Sequence, residues 1–175
     1  MMLRYFILFL LLASTSLSFA DGEQRYRIGS GDLLAINVFG EEDLTLKEVR
    51  VGTNGSISFP LLGEVSVRDL NIMQLEEKII SRLKDGYLKN PVVTVSVIEY
   101  RYFYINGEVK KPGGYNFITG LTVQKAVALA GGFTERASKD KIIIETEVTP
   151  GEAVSVGLND SVSPGDVITV DESFF

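Results

Sequence analysis

Residues 104–134 read Y-I-N-G-E-V-K-K-P-G-G-Y-N-F-I-T-G-L-T-V-Q-K-A-V-A-L-A-G-G-F-T, and the grammar of this stretch decides the fold. Asn106-Gly107 is a strong turn dipeptide between β-rich flanks, because both residue types tolerate positive φ, and it predicts a hairpin. Pro112-Gly113 supplies a second turn, with proline fixing φ and glycine accepting the left-handed conformation. Tyr115 and Phe117 then share one face of a strand. Thr122 is placed to cap a helix whose apolar residues Val123, Ala126, Val127 and Ala130 fall on one face, and Gly131 can take the left-handed position that ends it. The predicted order is hairpin, strand, capped helix, glycine stop.

Upstream, Tyr26-Arg27-Ile28-Gly29-Ser30-Gly31-Asp32 reads as a tight turn feeding a strand over Leu33, Leu34, Ile36 and Val38. It is not a dinucleotide fingerprint, since the third glycine is replaced by Leu34 and no helical pattern follows. Downstream, Pro164-Gly165-Asp166 before Val167-Ile168-Thr169-Val170 echoes it. Both aspartates are read as acceptors of backbone hydrogen bonds in Asx-type turns rather than as catalytic groups. Between them, Val51 to Pro60 repeats the hairpin theme with Asn54-Gly55. Asn71 with Gln74 forms a capping box for a helix striped by Ile72, Leu75, Ile79 and Leu83, which Gly86 can stop. The stretch from Gly63 to Asn71-Ile72 overlays that from Gly114 to Thr122-Val123, a weak internal repeat.

Asn90-Pro91 ends the helical region, and Val92 to Ile105 is a β-prone run without a turn residue. Val93, Val95 and Val97 share one parity, whereas Tyr100, Tyr102 and Tyr104 take the other, which suits a strand serving first one core and then a second. A lobe boundary is expected near Glu99 to Arg101. Tyrosine offers an apolar face for sugar stacking and a hydroxyl for hydrogen bonding, so Tyr100, Tyr102 and Tyr104 are candidate polysaccharide contacts. The alternative is that they cover the second lobe's core.

Composition narrows the chemistry. The 175 residues contain no histidine and no cysteine, which excludes a Ser-His-Asp triad, a Cys-His pair, thiolate or histidine-ligated zinc, disulfides and a lipid-bearing cysteine. Met1–Arg4, the apolar Tyr5–Ala13 and Ser18-Phe19-Ala20 read as a signal peptide cleaved after Ala20. Losing Arg4 with it takes the 17 Lys and Arg to 16, against 23 Asp and Glu, a net charge of −7. That balance, with Lys110-Lys111 the only adjacent basic pair, argues against nucleic acid. Glu41-Glu42-Asp43 is read as a solvated acidic loop rather than a glycosidase pair, which needs two carboxyls facing one bond.

G-E-V-x-x-P-G-x-Y over residues 107–115, followed by a helix and Ala130-Gly131-Gly132, resembles the soluble-ligand-binding β-grasp (SLBB) domain of bacterial polysaccharide biosynthesis/export proteins. Y-R-I-G-x-G-D at 26–32, P-x-V-x-V at 91–95 and P-G-D-x-I-x-V at 164–170 resemble the same family, in family order. The residues that carry the structural motif are Gly29, Gly31, Asp32, Pro60, Gly107, Glu108, Pro112, Gly113, Gly131, Gly132, Gly165 and Asp166. The resemblance implies an α+β chain of two small lobes: a signal peptide at 1–20, a polysaccharide export domain at 21–99 and a β-grasp SLBB domain at 100–175. It further implies a non-enzymatic, cofactor-free component of capsule or exopolysaccharide secretion, in the periplasm or at the periplasmic face of the outer membrane. The implied partners are further copies of itself in a homo-oligomer, the polysaccharide, an inner-membrane polysaccharide copolymerase of the tyrosine-kinase type and a separate outer-membrane pore protein. Larger relatives add β-grasp domains and a C-terminal amphipathic helix, which the residues after Val170 do not resemble. A periplasmic polysaccharide-binding module without a passage is the alternative, and an enzyme acting on the polymer is a third class.

Overall fold

Alternation of apolar and polar residues sets the first lobe. In the computed structural model, which describes residues 26–147, 149 and 151–173, β1 (Leu33–Val38) buries Leu34, Ile36 and Val38. The expected leader at 1–20 lies outside the described residues. β2 (Leu46–Arg50) follows a 3-10 turn at Glu42–Leu44, and β3 (Ser56–Phe59) and β4 (Gly63–Ser66) form a separate antiparallel hairpin. Helix α1 (Ile72–Lys84) starts at the capping box read from the sequence: Asn71 Oδ1 accepts from Gln74 N at 2.8 Å and Gln74 Oε1 accepts from Asn71 N at 3.0 Å. Its buried face is Leu75, Ile79 and Leu83. β5 (Val93–Glu99) completes a three-stranded sheet in the order β2-β1-β5. Glu76 on α1 accepts from Val95 N at 2.8 Å, so the helix satisfies part of the edge that β5 would otherwise expose.

The second lobe comprises β6 (Tyr102–Gly107), β7 (Gly113–Asn116), α2 (Val123–Leu129), β8 (Ala137–Glu145), β9 (Ala153–Val156) and β10 (Val167–Glu172). Its five-stranded sheet has the order β7-β6-β10-β8-β9, with β6 and β10 parallel and the other neighbours antiparallel. Helix α2 is capped by Thr122, whose side chain accepts from Lys125 N, and buries Val123, Ala126 and Val127 against the sheet. The architecture is α+β with two apolar cores: one draws on residues between Ile28 and Val95, the other on residues between Phe103 and Val170.

Two expectations are corrected. Asn106-Gly107 is not the reversal point of a tight hairpin. Gly107 stays in β6, paired with Val170, and Glu108 N donates to Val170 O at 2.9 Å, so the chain turns only over residues 108–112. The backbone of β10 claims the residues that a two-residue turn would have used. Nor does the core-facing parity change between β5 and β6. Val93 and Val95 are buried in the first lobe and Phe103 and Ile105 in the second, all odd-numbered, so Tyr102 and Tyr104 project away from the core instead of covering it. The run also breaks at Tyr100-Arg101, because Arg101 N leaves the ladder and donates to Asp32 Oδ1 at 2.8 Å.

Candidate functional site

Two places gather chemically capable side chains: the junction between the lobes and the outer face of the second sheet. At the junction, Asp32 is fully buried, and its carboxylate accepts from Gly29 N at 2.8 Å, from Arg101 N at 2.8 Å, from Arg101 Nη1 at 3.2 Å and from the Tyr26 hydroxyl. Arg101 also donates to Tyr26 Oη at 2.9 Å and, through Nε, to Glu147 Oε2 at 2.7 Å in the connection after β8. The guanidinium lies over the Tyr26 ring, 5.8 Å from its centroid. Burial raises the Tyr26 hydroxyl pKa, and its hydrogen bond to Asp32 adds to the shift. Burial alone would lower that of Arg101, but Tyr26, Asp32 and Glu147 together hold it above its ordinary value. An ion pair this enclosed depends on such directed hydrogen bonds, here from Arg101 N, Nε and Nη1, to offset the cost of taking its charges out of water.

Space at the junction comes from two glycines. A Cβ on Gly29 would come within 3.0 Å of the Arg101 guanidinium, and one on Gly165 would come within 3.0 Å of Glu147 Oε2. The two Gly-Asp turns therefore hold one arginine from both sides. They are built alike: Gly29 N donates to Asp32 Oδ2 at 2.8 Å, and Ser163 N donates to Asp166 Oδ2 at 2.7 Å. Burial raises the Asp166 pKa, which the Ser163 hydrogen bond opposes. Gly31 lies beside them, its Cβ position 3.6 Å from Arg101 Cβ.

The motif residues of the second lobe interlock in a different way. Lys110 N donates to Gly132 O at 3.0 Å, Lys111 N donates to Ala130 O at 2.9 Å, and Val109 bridges to Phe133. Glu108 accepts from the Thr134 hydroxyl, and its own carbonyl accepts from Thr134 N at 3.1 Å. The loop 108–112, with Pro112 at its exposed end, thus supplies donors to the open carbonyls at the end of α2, next to Gly131 and Gly132. In the first lobe, Pro60 ends β3, and its carbonyl accepts from Leu62 N at 2.7 Å.

The three candidate tyrosines separate. Tyr100 is half-buried between the lobes, edge-on to Tyr26 at 4.9 Å and to Phe117 at 5.3 Å between ring centroids. Tyr102 and Tyr104 lie together on the solvent side of β6, 52% and 47% exposed. Opposite them on β7, Tyr104 pairs with Gly114 and Tyr102 pairs with Asn116. A Cβ on Gly114 would lie 2.9 Å from Tyr104 Cε1 and 3.5 Å from Tyr102 Cδ2, so both rings lean over the glycine. Glu41, Glu42 and Asp43 occupy the exposed 3-10 turn of the first lobe. Among the described residues no group of three acidic side chains is arranged to hold a metal, and no helix is long and apolar enough to cross a membrane.

Sequence reasoning missed Arg101, Glu147 and Gly114. The first two act on partners far along the chain, which no local pattern marks. Gly114 could have been found from the hairpin register, had the turn been placed over 108–112.

Residues 20–98 match the family model described as polysaccharide biosynthesis/export protein, and residues 102–156 match that of the SLBB domain. The chain is 32% identical to the exopolysaccharide production protein ExoF of Rhizobium meliloti (strain 1021) over 133 residues, covering 69% of this chain and 31% of the relative. It is 30% identical over 132 residues to the EPS I polysaccharide export outer membrane protein EpsA of Ralstonia solanacearum, covering 61% of this chain and 35% of that one. It is 27% identical over 123 residues to the polysialic acid transport protein KpsD of Escherichia coli, covering 69% and 22%. The matched segment spans about a third or less of the length of these relatives.

Proposed function

We propose, from the premise that the chain belongs to the polysaccharide biosynthesis/export protein family, that it is an exported, non-enzymatic component of a bacterial capsule or exopolysaccharide secretion machinery. The observation that carries this reading is the succession of an export domain and an SLBB domain in one chain, with relatives named for polysaccharide production, export and transport. We divide the chain at residues 99 and 100, where the two cores part.

In this reading several copies surround a passage, meeting head to tail in an interface that closes. The copies act in the periplasm or at the periplasmic face of the outer membrane, between an inner-membrane copolymerase of the tyrosine-kinase type and an outer-membrane pore. Tyr102 and Tyr104 are the polysaccharide contacts, while Tyr100 serves the junction. The same open tyrosine face also suits a polysaccharide-binding module without a passage, so the two readings need separate outcomes.

Deletion of the gene tests them. Loss of surface polysaccharide with intact precursor synthesis supports export. Continued secretion with altered amount or retention supports the binding module, and a change in polymer length or composition supports an enzyme. Normal secretion from the null strain, with no paralogue in place, overturns the proposal.

A further inference from the structure

The side chains on the solvent side of the second sheet follow from its register. Tyr102, Tyr104 and Asn106 project from β6, Gly114 and Asn116 lie on the same side of β7, and Val167 and Thr169 lie beside Tyr104 and Asn106 on β10. None of these seven carries a charge. Strands lie about 4.8 Å apart, so this uncharged strip is on the order of three strands wide. Charged residues stand outside it, among them Glu145, which pairs with Val167 at its edge, Lys141 further along β8, and Asp171 at the far end of β10. The composition is two aromatic rings, two carboxamides and three hydroxyls, those of Tyr102, Tyr104 and Thr169, a set that offers apolar contact and neutral hydrogen bonds together.

Gly114 determines how the rings sit. Any side chain there would collide with the Tyr104 ring and crowd that of Tyr102. Its missing Cβ lets both rings rest on the backbone of β7 while about half of each tyrosine stays open to solvent. A ring supported on one side presents its other side at little cost in conformational freedom, because its rotamer is already chosen before a ligand arrives.

We infer that this strip, with Gly114 as a positioning residue beneath Tyr102 and Tyr104, binds an uncharged stretch of polysaccharide and discriminates against polyanionic chains. The inference rests on the polysaccharide-export reading and narrows its ligand. Charge complementarity selects the occupant. A neutral polymer pays no desolvation penalty for ionic groups left without partners, whereas a uronate or sialate polymer would bring carboxylates to a strip without a cation, on a chain of formal net charge −6.

The test is affinity electrophoresis of the full chain through gels containing dextran or hydroxyethylcellulose as neutral probes, and alginate or polysialic acid as anionic ones. The chain has no tryptophan, so quenching of tyrosine fluorescence gives a second readout. Retardation is expected in at least one neutral gel and in neither anionic gel. Tyr102→Ala, Tyr104→Ala and Gly114→Ala should each weaken binding about tenfold. Gly114→Ala should also lose the fluorescence response while keeping its unfolding midpoint, a separation that a merely structural glycine would not give. Asn116→Lys should gain binding to alginate.

Retardation by the anionic polymers equal to or stronger than that by the neutral ones overturns the discrimination and leaves polysaccharide contact standing. Binding insensitive to the tyrosine and glycine variants moves the site elsewhere, and variants that change only the oligomeric state assign the face to a second copy. Both results overturn the inference, as does a folded chain that binds none of the probes. A null strain that still fails to secrete would then show that the export reading survives without this strip.

Discussion

Asp32 and Asp166 occupy equivalent turns, yet their surroundings give them opposite roles in stability. Asp32 is enclosed with four donors aimed at it, two of them from Arg101. Asp32→Ala leaves a buried guanidinium without its main counter-charge and should cost about 3–5 kcal/mol of unfolding free energy, measurable by chemical denaturation. Asp166 carries a burial penalty, so the folded chain holds its proton more tightly than the unfolded chain does. That stabilising contribution is complete below the unfolded value of 3.8 and is lost as pH rises through the raised folded value. Asp166→Asn keeps an oxygen for Ser163 N and titrates nowhere in this range. Its stability relative to the parent should therefore increase from pH 3.5 to pH 7, and a flat difference would refute this account. The turn made by each aspartate was legible in the sequence, because its bonded partner lies three residues back. The reach of Asp32 to Arg101 was not, because the partners are 69 residues apart and meet only once both lobes exist.

The elements divide the same way into local and imposed. Both helices were legible, since Asn71 with Gln74, and Thr122 with the Val123, Ala126 and Val127 face, are instructions written within a turn or two. The β6–β7 connection was misread because the fate of Gly107 is set by β10. Gly107 has φ +78, and a Cβ there would fall within 3.0 Å of Val170 O. Gly120 has a similar φ of +76 with nothing within 4 Å. Gly120→Ala should therefore cost only the left-handed backbone penalty of roughly 1–2 kcal/mol. Gly107→Ala adds a collision with the neighbouring strand's backbone and should abolish the cooperative unfolding of the second lobe. Circular dichroism melts of the pair separate the two contributions, and equal destabilisation would show that the close approach to β10 is unimportant.

At the scale of the whole molecule, two cores with no residue in common are joined by a short linker whose arginine bonds to Asp32 in the first lobe and Glu147 in the second. Coupling through so few groups should be breakable without unfolding either core. Arg101→Ala is expected to convert one calorimetric transition into two, and a single undivided transition in the variant would place the coupling elsewhere. The sheet order has a further effect, on timing. Of the five described strands of its sheet, β10 is the last in chain order and the middle one in space, and it pairs in parallel with the first strand of the lobe. Such long-range pairing is slow, and until the segment from Val167 onward is present β6 has no partner on that side. The pieces of the first lobe are all available by Glu99. The two lobes therefore mature in sequence, and a chain truncated before Val167 would carry a protease-resistant front half behind which the remainder is open to cleavage.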